Sequence, residues 1–418
     1  MPQDLLTVKL DRLAYGGDAL GRVSTASAET GGRAVFVPFA LPGETVHIRV
    51  VEEKRGHLRG ELVEVLEPSA QRIQPKCKHF GICGGCHYQH LSYPAQLQAK
   101  TDILRDQLSR IGKIPDPPLQ PMLASPQEWK YRNHVQFHLT PDAKLGYFAA
   151  NRTGVVPISE CHLPEDPLNT LWPGLEFEPG LGLERISLRA GMRGEVMLML
   201  ESAQLEPPAL ELEASLSVVH ISGDDVIVMA GEGSLHISVK ERTFQVSAAS
   251  FFQVNNAMTE KMVEHLLAHL PVSPSTTLLD VYCGAGLFSA FFAGKVGRLI
   301  GIEVSPSACE DFAANLDEFD NVELYEAPAE IVLPSLDVRP DVVIIDPPRA
   351  GLDRHVLDAL LAQSPQRLAY VSCDPSTLAR DSARLSAGGY RLVQVTPFDL
   401  FPQTYSIESI SIFEPVRK

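Results

Sequence analysis

The chain has 418 residues, 44% of them hydrophobic, and a formal net charge of −16 at pH 7. This length predicts two or three domains, and the sequence has no apolar run of about 18 residues that could cross a membrane. The N-terminal residues MPQDLLTVKL lack a basic head followed by an apolar stretch, so a signal peptide is not expected. We therefore expect a soluble, cytoplasmic, monomeric protein with ordinary packed cores.

The charge is unevenly distributed along the chain. Residues 72–152 carry 11 Lys and Arg against 5 Asp and Glu, residues 153–260 carry 5 against 16, and residues 261–418 carry 12 against 21. An acidic protein disfavours non-specific binding to nucleic acid. A basic segment of this kind can nevertheless bind a polyanion while the acidic remainder repels incorrect registers. A chance fluctuation of surface charge is the alternative.

The first two thirds of the chain predict two modules. Residues 1–66 contain short strand-like runs separated by Gly and Pro, which is typical of a small β-barrel. The run RAVFVPFALPGE resembles the TRAM domain, an oligonucleotide-binding-like barrel of RNA-modifying enzymes; a generic barrel without a ligand is the alternative. Residues 67–255 predict a central mixed, β-rich domain. It includes a cysteine-rich start and a helix over residues 90–112 that we expect to dock on the C-terminal domain.

Residues 256–418 have a different pattern of apolar and helical segments. A helix-like segment from Met258 to Leu270 precedes the apolar run TTLLDV, and further apolar runs of strand length follow, most of them separated by helical stretches. Strands that alternate with helices in this way predict a doubly wound, Rossmann-like α/β domain with a parallel sheet.

The run LLDVYCGAGLFS predicts the turn that would hold a cofactor in this domain. Asp280 lies near the end of a strand, and Gly284 and Gly286 allow a ligand to approach the backbone at the carboxyl edge of the sheet. The next strand ends with Glu303, where a carboxylate can hold two ribose hydroxyls. Position 289 is Ser and not the third glycine of a dinucleotide-binding motif, which weakens a nicotinamide cofactor but leaves it open.

Two later strand ends carry the residues that favour methyl transfer. VVIIDPPRAG places Asp346 before two prolines, as in enzymes that methylate exocyclic amino groups; a rigid turn is the alternative. LAYVSCDPSTLARD places Cys373 at the end of the following strand, in the same crevice. Cysteine is more often an inert core residue, and an amino nitrogen needs no thiol. Carbon 5 of uracil does need one, because it is weakly nucleophilic until a thiolate adds to carbon 6.

The segment FPQTYSIESISIF offers a base for the last step of such a reaction. After methyl transfer, the proton on carbon 5 must be removed so that the thiolate can leave. Glu408 lies between Ile407 and Ile410 in a predicted strand. Apolar neighbours raise the pKa of a carboxyl toward the range that suits proton transfer near neutral pH. An outward-facing Glu on a strand is the alternative.

Together these motifs closely resemble the RNA uracil-5-methyltransferase family, and in particular its ribosomal-RNA enzymes with a TRAM domain and an iron–sulfur cluster, over essentially the whole chain. The resemblance implies an S-adenosylmethionine site that includes the side chains of Gln253, Tyr282, Glu303 and Asp346. It also implies that Cys373 is the nucleophile and Glu408 the proton acceptor, with Asp346 near the target base. Ser406 departs from the family motif, in which many relatives have His.

Clustered cysteines in a cytosolic chain suggest a metal site or catalysis before disulfides. The spacing C-x5-C-G-G-C, with one cysteine far downstream in ISECHL, supplies four thiolates that suit either a cubane iron–sulfur cluster or a structural zinc. The resemblance implies a [4Fe-4S] cluster on Cys77, Cys83, Cys86 and Cys161. We expect Cys283 and Cys309 to be packing residues.

The sequence therefore predicts an enzyme that methylates carbon 5 of a uridine in RNA, with large-subunit ribosomal RNA as the expected substrate and transfer RNA as the alternative. An amino-group or small-molecule methyltransferase would leave Cys373 and Glu408 without a role. A non-catalytic RNA-binding assembly factor would leave every site position unused.

Overall fold

The computed structural model describes residues 5–23, 32–211 and 216–416. The chain divides into two compact units. Unit 1 consists of Met1–Leu104, Phe148–Thr153 and Phe401–Ser406, and unit 2 of Arg105–Tyr147, Gly154–Leu400 and Ile407–Lys418. The three-domain division at residues 66 and 255 is a different partition and stays a prediction. Within the ranges given above, the chain has no helix that is both long and apolar enough to span a membrane.

Unit 1 contains a closed β-barrel. Its strands are β1 Leu6–Leu13, β2 Ala19–Val23, β3 Arg33–Val37, β4 Thr45–Glu53 and β5 His57–Glu67. They are hydrogen-bonded in the order β1-β2-β3-β5-β4. Alternate residues of the strands point inward, and Val8, Leu10 and Val35 are almost completely buried. The barrel predicted from the short strand-like runs is confirmed.

A buried ion pair ties this barrel to the cysteine-rich segment that follows it in unit 1. The Glu44 side chain is fully buried, and its carboxylate accepts hydrogen bonds from Arg72 Nε at 2.5 Å and Nη2 at 2.8 Å. The backbone N–H groups of Leu41 and Ser69 donate to the same carboxylate. Burial alone would raise the pKa of Glu44, but these hydrogen bonds hold it below its usual value. A bidentate, fully hydrogen-bonded pair is the form in which a buried charge is tolerated.

The helix predicted over residues 90–112 is present as α1, Tyr93–Arg110. A seven-stranded mixed sheet follows, which apart from Phe148 belongs to unit 2. Its strands are β6 His134–Leu139, β7 Leu145–Phe148, β8 Val155–Pro157, β9 Leu183–Ala190, β10 Val196–Ser202, β11 Ser217–Ser222 and β12 Asp225–Ala230, with helix α2 Asp166–Leu171 before β9. Their order is β12-β11-β10-β9-β6-β7-β8, and β10 and β11 are parallel. Phe137, Ile186, Leu188 and Trp172 contribute to the core on one face.

The C-terminal part of unit 2 is the doubly wound domain. After the hairpin β13 Ser234–Val239 and β14 Arg242–Ser247 come α3 Asn256–His269, β15 Thr277–Val281, α4 Ser289–Phe292, β16 Arg298–Glu303, α5 Pro306–Asn315, β17 Val322–Glu326, α6 Ala329–Ser335, β18 Val342–Ile345, α7 Arg354–Gln363, β19 Arg367–Ser372, α8 Pro375–Ala387, β20 Tyr390–Phe398 and β21 Glu408–Pro415. The sheet order is β17-β16-β15-β18-β19-β21-β20.

The expectation of a parallel sheet holds for β15 to β19 and is wrong for the last two strands. β21 is antiparallel to both β19 and β20. Residues 399–407 join β20 to β21 without a crossover helix, and a connection of that kind is compatible only with antiparallel strands. The strand order reverses between β15 and β18, and the crevice beyond the carboxyl ends of the strands at such a reversal is where ligands bind in open α/β sheets.

Candidate active site

Strand register places the two predicted catalytic side chains at one edge of the sheet. Cys373 directly follows β19, and Glu408 is the first residue of β21. Ser372 pairs with Ser409 in the antiparallel ladder, so the next residue outward on each strand is Cys373 on one and Glu408 on the other. The structure therefore brings these two positions together. Their catalytic roles stay predictions.

Asp346 occupies the neighbouring strand end. Its backbone N–H donates to the carbonyl of Val281 at 3.2 Å, which fixes the start of the Asp-Pro-Pro turn beside β15. Because β18 lies between β15 and β19, the Asp346 carboxyl is close enough to both Cys373 and Glu408 to perturb their pKa values. The three side chains form one electrostatic cluster at the carboxyl edge.

The cluster holds its protons tightly. Burial raises the pKa of Cys373 to about 12, and the carboxylates of Glu408 and Asp346 add to the shift while Arg349 opposes it. Burial and then Asp346 raise the pKa of Glu408 well above its usual value, again against Arg349. The pKa of Asp346 rises to about 7, first through burial and then through the charge of Asp280. Without ligands, Cys373 is therefore a neutral thiol at pH 7.

The turn after Cys373 is rigid. Asp374 is the N-cap of α8, and its Oδ1 accepts hydrogen bonds from the backbone N–H groups of Ser376 at 2.8 Å and Thr377 at 3.0 Å. Pro375 occupies the first turn of the helix, where its missing N–H costs nothing. The Asp-Pro step next to Cys373 is thus a helix start that fixes the direction of the Cys373 backbone.

A buried carboxylate that the sequence analysis missed supports the Asp-Pro-Pro turn. Asp381 on α8 is fully buried, and its Oδ2 accepts hydrogen bonds from Leu352 N at 2.8 Å and Tyr370 Oη at 3.0 Å. Gly351 passes directly over it with a φ of 75°, and a Cβ on Gly351 would lie 2.5 Å from Asp381 Oδ2. Asp381 is the last residue of the LAYVSCDPSTLARD motif. Asp381 stands next to Arg380 in the sequence, and this charged pair gives no local sign of burial.

The predicted cofactor turn has an unusual backbone. Tyr282 has a φ of 64°, Gly284 of 53° and Gly286 of 84°. A left-handed conformation is uncommon at a bulky non-glycine residue such as Tyr282, and such outliers cluster at ligand sites. Gly286 has a further reason to lack a side chain, because a Cβ there would lie 2.5 Å from Leu316 Cδ1.

Two carboxyl groups line this turn. Glu303 is held in place because its Oε2 accepts from Gly284 N at 2.9 Å and its Oε1 accepts from Val304 N at 2.8 Å and Ser305 N at 2.9 Å. Asp280 is fully buried, and its Oδ2 accepts from Ser289 Oγ at 2.7 Å. Asp280 Oδ1 has no hydrogen-bond partner among the described residues. Burial raises the pKa of Asp280 to about 7.

Gln253 lies on the segment between β14 and α3 and is 9% exposed. The segment is joined to the start of α5 through a 2.9 Å hydrogen bond between the hydroxyls of Ser250 and Ser307. Ser307 follows Glu303 by four residues, so this hydrogen bond joins the segment that carries Gln253 to the helix that begins just after Glu303. Asn255 ends the segment as the N-cap of α3.

The predicted cluster cysteines fall in both units. Cys77, Cys83 and Cys86 belong to unit 1 and Cys161 to unit 2. Across residues 5–23, 32–211 and 216–416, no group of three or more His, Cys, Asp or Glu side chains is arranged to hold a metal ion. Within unit 1, burial raises the pKa of Cys83, and the nearby Cys77 adds to the shift. The backbone N–H of Gly85 donates to Cys83 Sγ at 3.4 Å.

Comparisons with known proteins agree with this architecture. A model of the tRNA (uracil-5-)-methyltransferase family matches residues 216–415, and a TRAM-domain model matches residues 4–63. An uncharacterized RNA methyltransferase of Thermosynechococcus vestitus is 35% identical, and the match covers 97% of each chain. One from Halalkalibacterium halodurans is 32% identical over 98% of this chain and 97% of the relative.

A solved structure shares the fold. The crystal structure of Pyrococcus abyssi tRNA (uracil-54, C5)-methyltransferase in complex with S-adenosyl-L-homocysteine is similar with a TM-score of 0.73 at 23% identity, over 97% of this chain and 99% of that chain.

Together with these matches, the doubly wound sheet and the N-terminal barrel are those of an S-adenosylmethionine-dependent RNA methyltransferase. More particularly, the chain belongs to the RNA (uracil-5-)-methyltransferase family.

Proposed function

We propose that the enzyme methylates carbon 5 of one specific uridine in large-subunit ribosomal RNA, through a covalent bond between Cys373 and carbon 6 of the base that Glu408 helps to resolve. The observation that carries the proposal is the adjacency of Cys373 and Glu408 at the ends of paired strands, with Asp346 beside them. A thiol, a carboxyl and a second carboxyl in one crevice are the groups that this chemistry needs.

The cofactor fits the turn between β15 and α4. The orphaned Asp280 Oδ1 can accept a hydrogen bond from a ligand, and the glycine turn leaves room for one. The Glu303 carboxylate has lone pairs that its backbone donors do not use, and these can accept hydrogen bonds from ribose hydroxyls. Gln253 and Tyr282 would complete the site. When bound, S-adenosylmethionine supplies an electrophilic methyl group to the crevice.

Each residue has one task in the proposed reaction. The Cys373 thiol gives up its proton to solvent, and the thiolate forms a bond to carbon 6, which moves the electrons of the 5,6 double bond toward carbon 5. Carbon 5 takes the methyl group and becomes tetrahedral, while the bond between that methyl group and the sulfonium sulfur breaks and S-adenosylhomocysteine is the leaving group. The carboxylate of Glu408 then removes the proton from carbon 5, the double bond re-forms, and the carbon–sulfur bond breaks to restore the thiolate. The target base must leave its stack to reach this buried edge.

Large-subunit ribosomal RNA is proposed because the TRAM domain and the cysteine spacing together resemble the ribosomal-RNA enzymes of the family. Transfer RNA is the second candidate, since the similar Pyrococcus abyssi enzyme acts on uracil 54 of tRNA. Mapping 5-methyluridine in a strain that lacks this gene decides between them. Loss of the modification from 23S RNA supports the proposal, and loss from tRNA alone contradicts it.

We also propose a structural [4Fe-4S] cluster on Cys77, Cys83, Cys86 and Cys161. Four thiols are the number and type of ligand that a cubane cluster takes, and each of these four is half-buried. The N–H donor to Cys83 Sγ is the kind of contact that tunes cluster sulfurs. Protein purified without oxygen should be brown and contain iron that is lost in Cys83→Ser. Stoichiometric zinc without iron would contradict the assignment.

The adduct is tested by a variant that lacks the proposed base, Glu408, and keeps the proposed nucleophile, Cys373. Glu408→Gln keeps the size of the side chain, so the methylated adduct should form and fail to eliminate. Incubation with the RNA and methyl-labelled cofactor should give a protein–RNA band that carries methyl label and survives a denaturing gel.

Cys373→Ala and the double variant with Glu408→Gln are the matched controls, and neither should show the band. Normal turnover of Glu408→Gln without an adduct would make Glu408 a structural strand residue. Turnover of Cys373→Ala within tenfold of wild type would remove the covalent mechanism.

A further inference from the structure

A buried arginine on the central sheet of unit 2 binds the segment that carries Gln253. Arg189 on β9 is 3% exposed. Its Nη1 donates to the carbonyl of Ser247 at 2.9 Å, and its Nη2 donates to the carbonyl of Ser250 at 2.8 Å. Arginine is almost never fully buried unless it is paired. The burial of Arg189 therefore requires specific hydrogen-bond partners and a counter-charge.

The counter-charge is Asp311 on α5, which is also fully buried. Asp311 accepts hydrogen bonds from the backbone N–H of Ser247 at 2.8 Å and from its hydroxyl at 2.6 Å. Burial lowers the pKa of Arg189 to about 10, and Asp311 acts against that shift, so the guanidinium remains charged at neutral pH. Ser247 is thus held on its carbonyl side by the sheet and on its N–H side by α5.

Asn133 holds the other end of the segment. It is 1% exposed, and its backbone N–H donates to the carbonyl of Val254 at 2.9 Å. Its Nδ2 donates to the carbonyl of Gln253 at 3.0 Å and to Asn256 Oδ1 at 2.8 Å. The carbonyl of Asn133 in turn accepts from the backbone N–H of Ala190, the neighbour of Arg189 on β9.

We infer that Arg189 and Asn133 are positioning residues for the cofactor site. Together they bind the carbonyls of Ser247, Ser250, Gln253 and Val254 from the central sheet. This clamp fixes the backbone that presents the Gln253 side chain. The role of this clamp rests on the proposed contact between Gln253 and S-adenosylmethionine.

The inference predicts a selective loss of cofactor affinity. Arg189→Met keeps the length of the side chain but removes both donors, so the Kd for S-adenosylmethionine and its KM should rise about tenfold. The kcat at saturating cofactor and the Kd for RNA should stay within about threefold of wild type. Arg189→Lys retains the charge and can reach one carbonyl, so it should recover part of the affinity. A purely structural role would lower Tm and leave the Kd of the folded protein unchanged.

The chain offers a matched control on the same strand face. Arg185 precedes Arg189 by four residues on β9, but its side chain is 43% exposed and pairs with Glu201. Arg185→Met should leave the cofactor Kd unchanged. Arg189→Met leaves the buried Asp311 carboxylate without its counter-charge. If that variant does not fold, the double variant Arg189→Met/Asp311→Asn is used for the same measurement.

The outcomes separate the clamp from the proposed function. If Gln253→Ala weakens cofactor binding and folded Arg189→Met or the double variant binds within twofold of wild type, the clamp is wrong and the Gln253 contact stands. If Gln253→Ala binds normally, the Gln253 contact itself is wrong.

Asn133→Asp tests the other end of the clamp, because it turns the donor toward the Gln253 carbonyl into an acceptor. The Kd of Asn133→Asp for S-adenosylmethionine should rise at least as much as that of Arg189→Met. Normal binding by this variant would also overturn the inference.

Discussion

Asp280 is a buried acid whose ionisation should destabilise unit 2, and Asp280→Asn removes that ionisation. The carboxyl is fully buried, and Ser289 donates hydrogen bonds to it from its hydroxyl and from its backbone N–H. An Asn side chain keeps an oxygen for Ser289 and the same volume. It places an amide where Oδ1 lies, and any penalty for that amide does not depend on pH.

The magnitude follows from the two pKa values of Asp280, which are about 7 in the folded protein and 3.8 as reference for the unfolded chain. The folded state binds the proton more tightly, so stability falls as pH rises from about 4 to about 7 and is level above that range. One unit of pKa shift corresponds to about 1.4 kcal/mol. The ionisation therefore costs about 2 kcal/mol at pH 5.5 and about 4 kcal/mol at pH 7.5.

The assay is thermal unfolding of wild type and Asp280→Asn across this pH range without ligands. Unit 2 contains about 300 residues, for which the unfolding entropy is about 0.6 kcal/mol per kelvin. The Tm of Asp280→Asn relative to wild type should therefore increase by about 3 °C between pH 5.5 and pH 7.5 and then stay constant. Asp358→Asn, at a carboxyl that is 60% exposed, controls for the change in net charge. A Tm difference that does not vary with pH would refute the reasoning.

Two further predictions concern the proposed catalytic edge, where Cys373 lies. Because burial raises the pKa of Cys373 to about 12 and the thiolate is the reactive form, kcat/KM should rise steadily with pH between 7 and 9; a flat profile would show that the thiol is already ionised. Gly351→Ala should lower Tm and kcat, because the new Cβ meets Asp381 Oδ2 at 2.5 Å with φ at 75°. Gly389→Ala, with φ at 91° and open space around its Cβ, isolates the cost of the backbone conformation; equal losses in both variants would dismiss the clash.

Sequence alone could predict which strand ends carry chemistry. An apolar run followed by Asp346 or by Cys373 marks the end of a buried parallel strand, and the ends of parallel strands share one edge of the sheet. The adjacency of Glu408 to Cys373 could not be read in this way. It depends on β21 running antiparallel to β19 in a register that residues 399–407 set, and no local pattern encodes that register.

The buried polar network around Arg189 and Asn133 could not be predicted from the sequence, for a different reason. Arg189 meets Ser250 across 61 positions of sequence, and Asn133 meets Gln253 across 120. Arg189 in the strand run LERISLRA looks like a solvent-facing position, and only the packing of the segment over the sheet buries it. Spacing within a window identifies strands and turns, whereas a buried charge is identified by partners that folding brings from elsewhere.

The acids of the cofactor turn and the catalytic edge lead to a last prediction. Asp280 and Asp346 both have a pKa of about 7 without ligands, so each is about half protonated at neutral pH. A sulfonium cation bound in the proposed site would favour their charged forms and lower both pKa values. Binding of S-adenosylmethionine at pH 7 should therefore release protons, whereas the neutral thioether S-adenosylhomocysteine should release fewer. Calorimetric titration in buffers of different ionisation enthalpy measures the release, and Asp280→Asn should reduce it. A binding enthalpy that is the same in every buffer would mean that these carboxyls do not sense the cation.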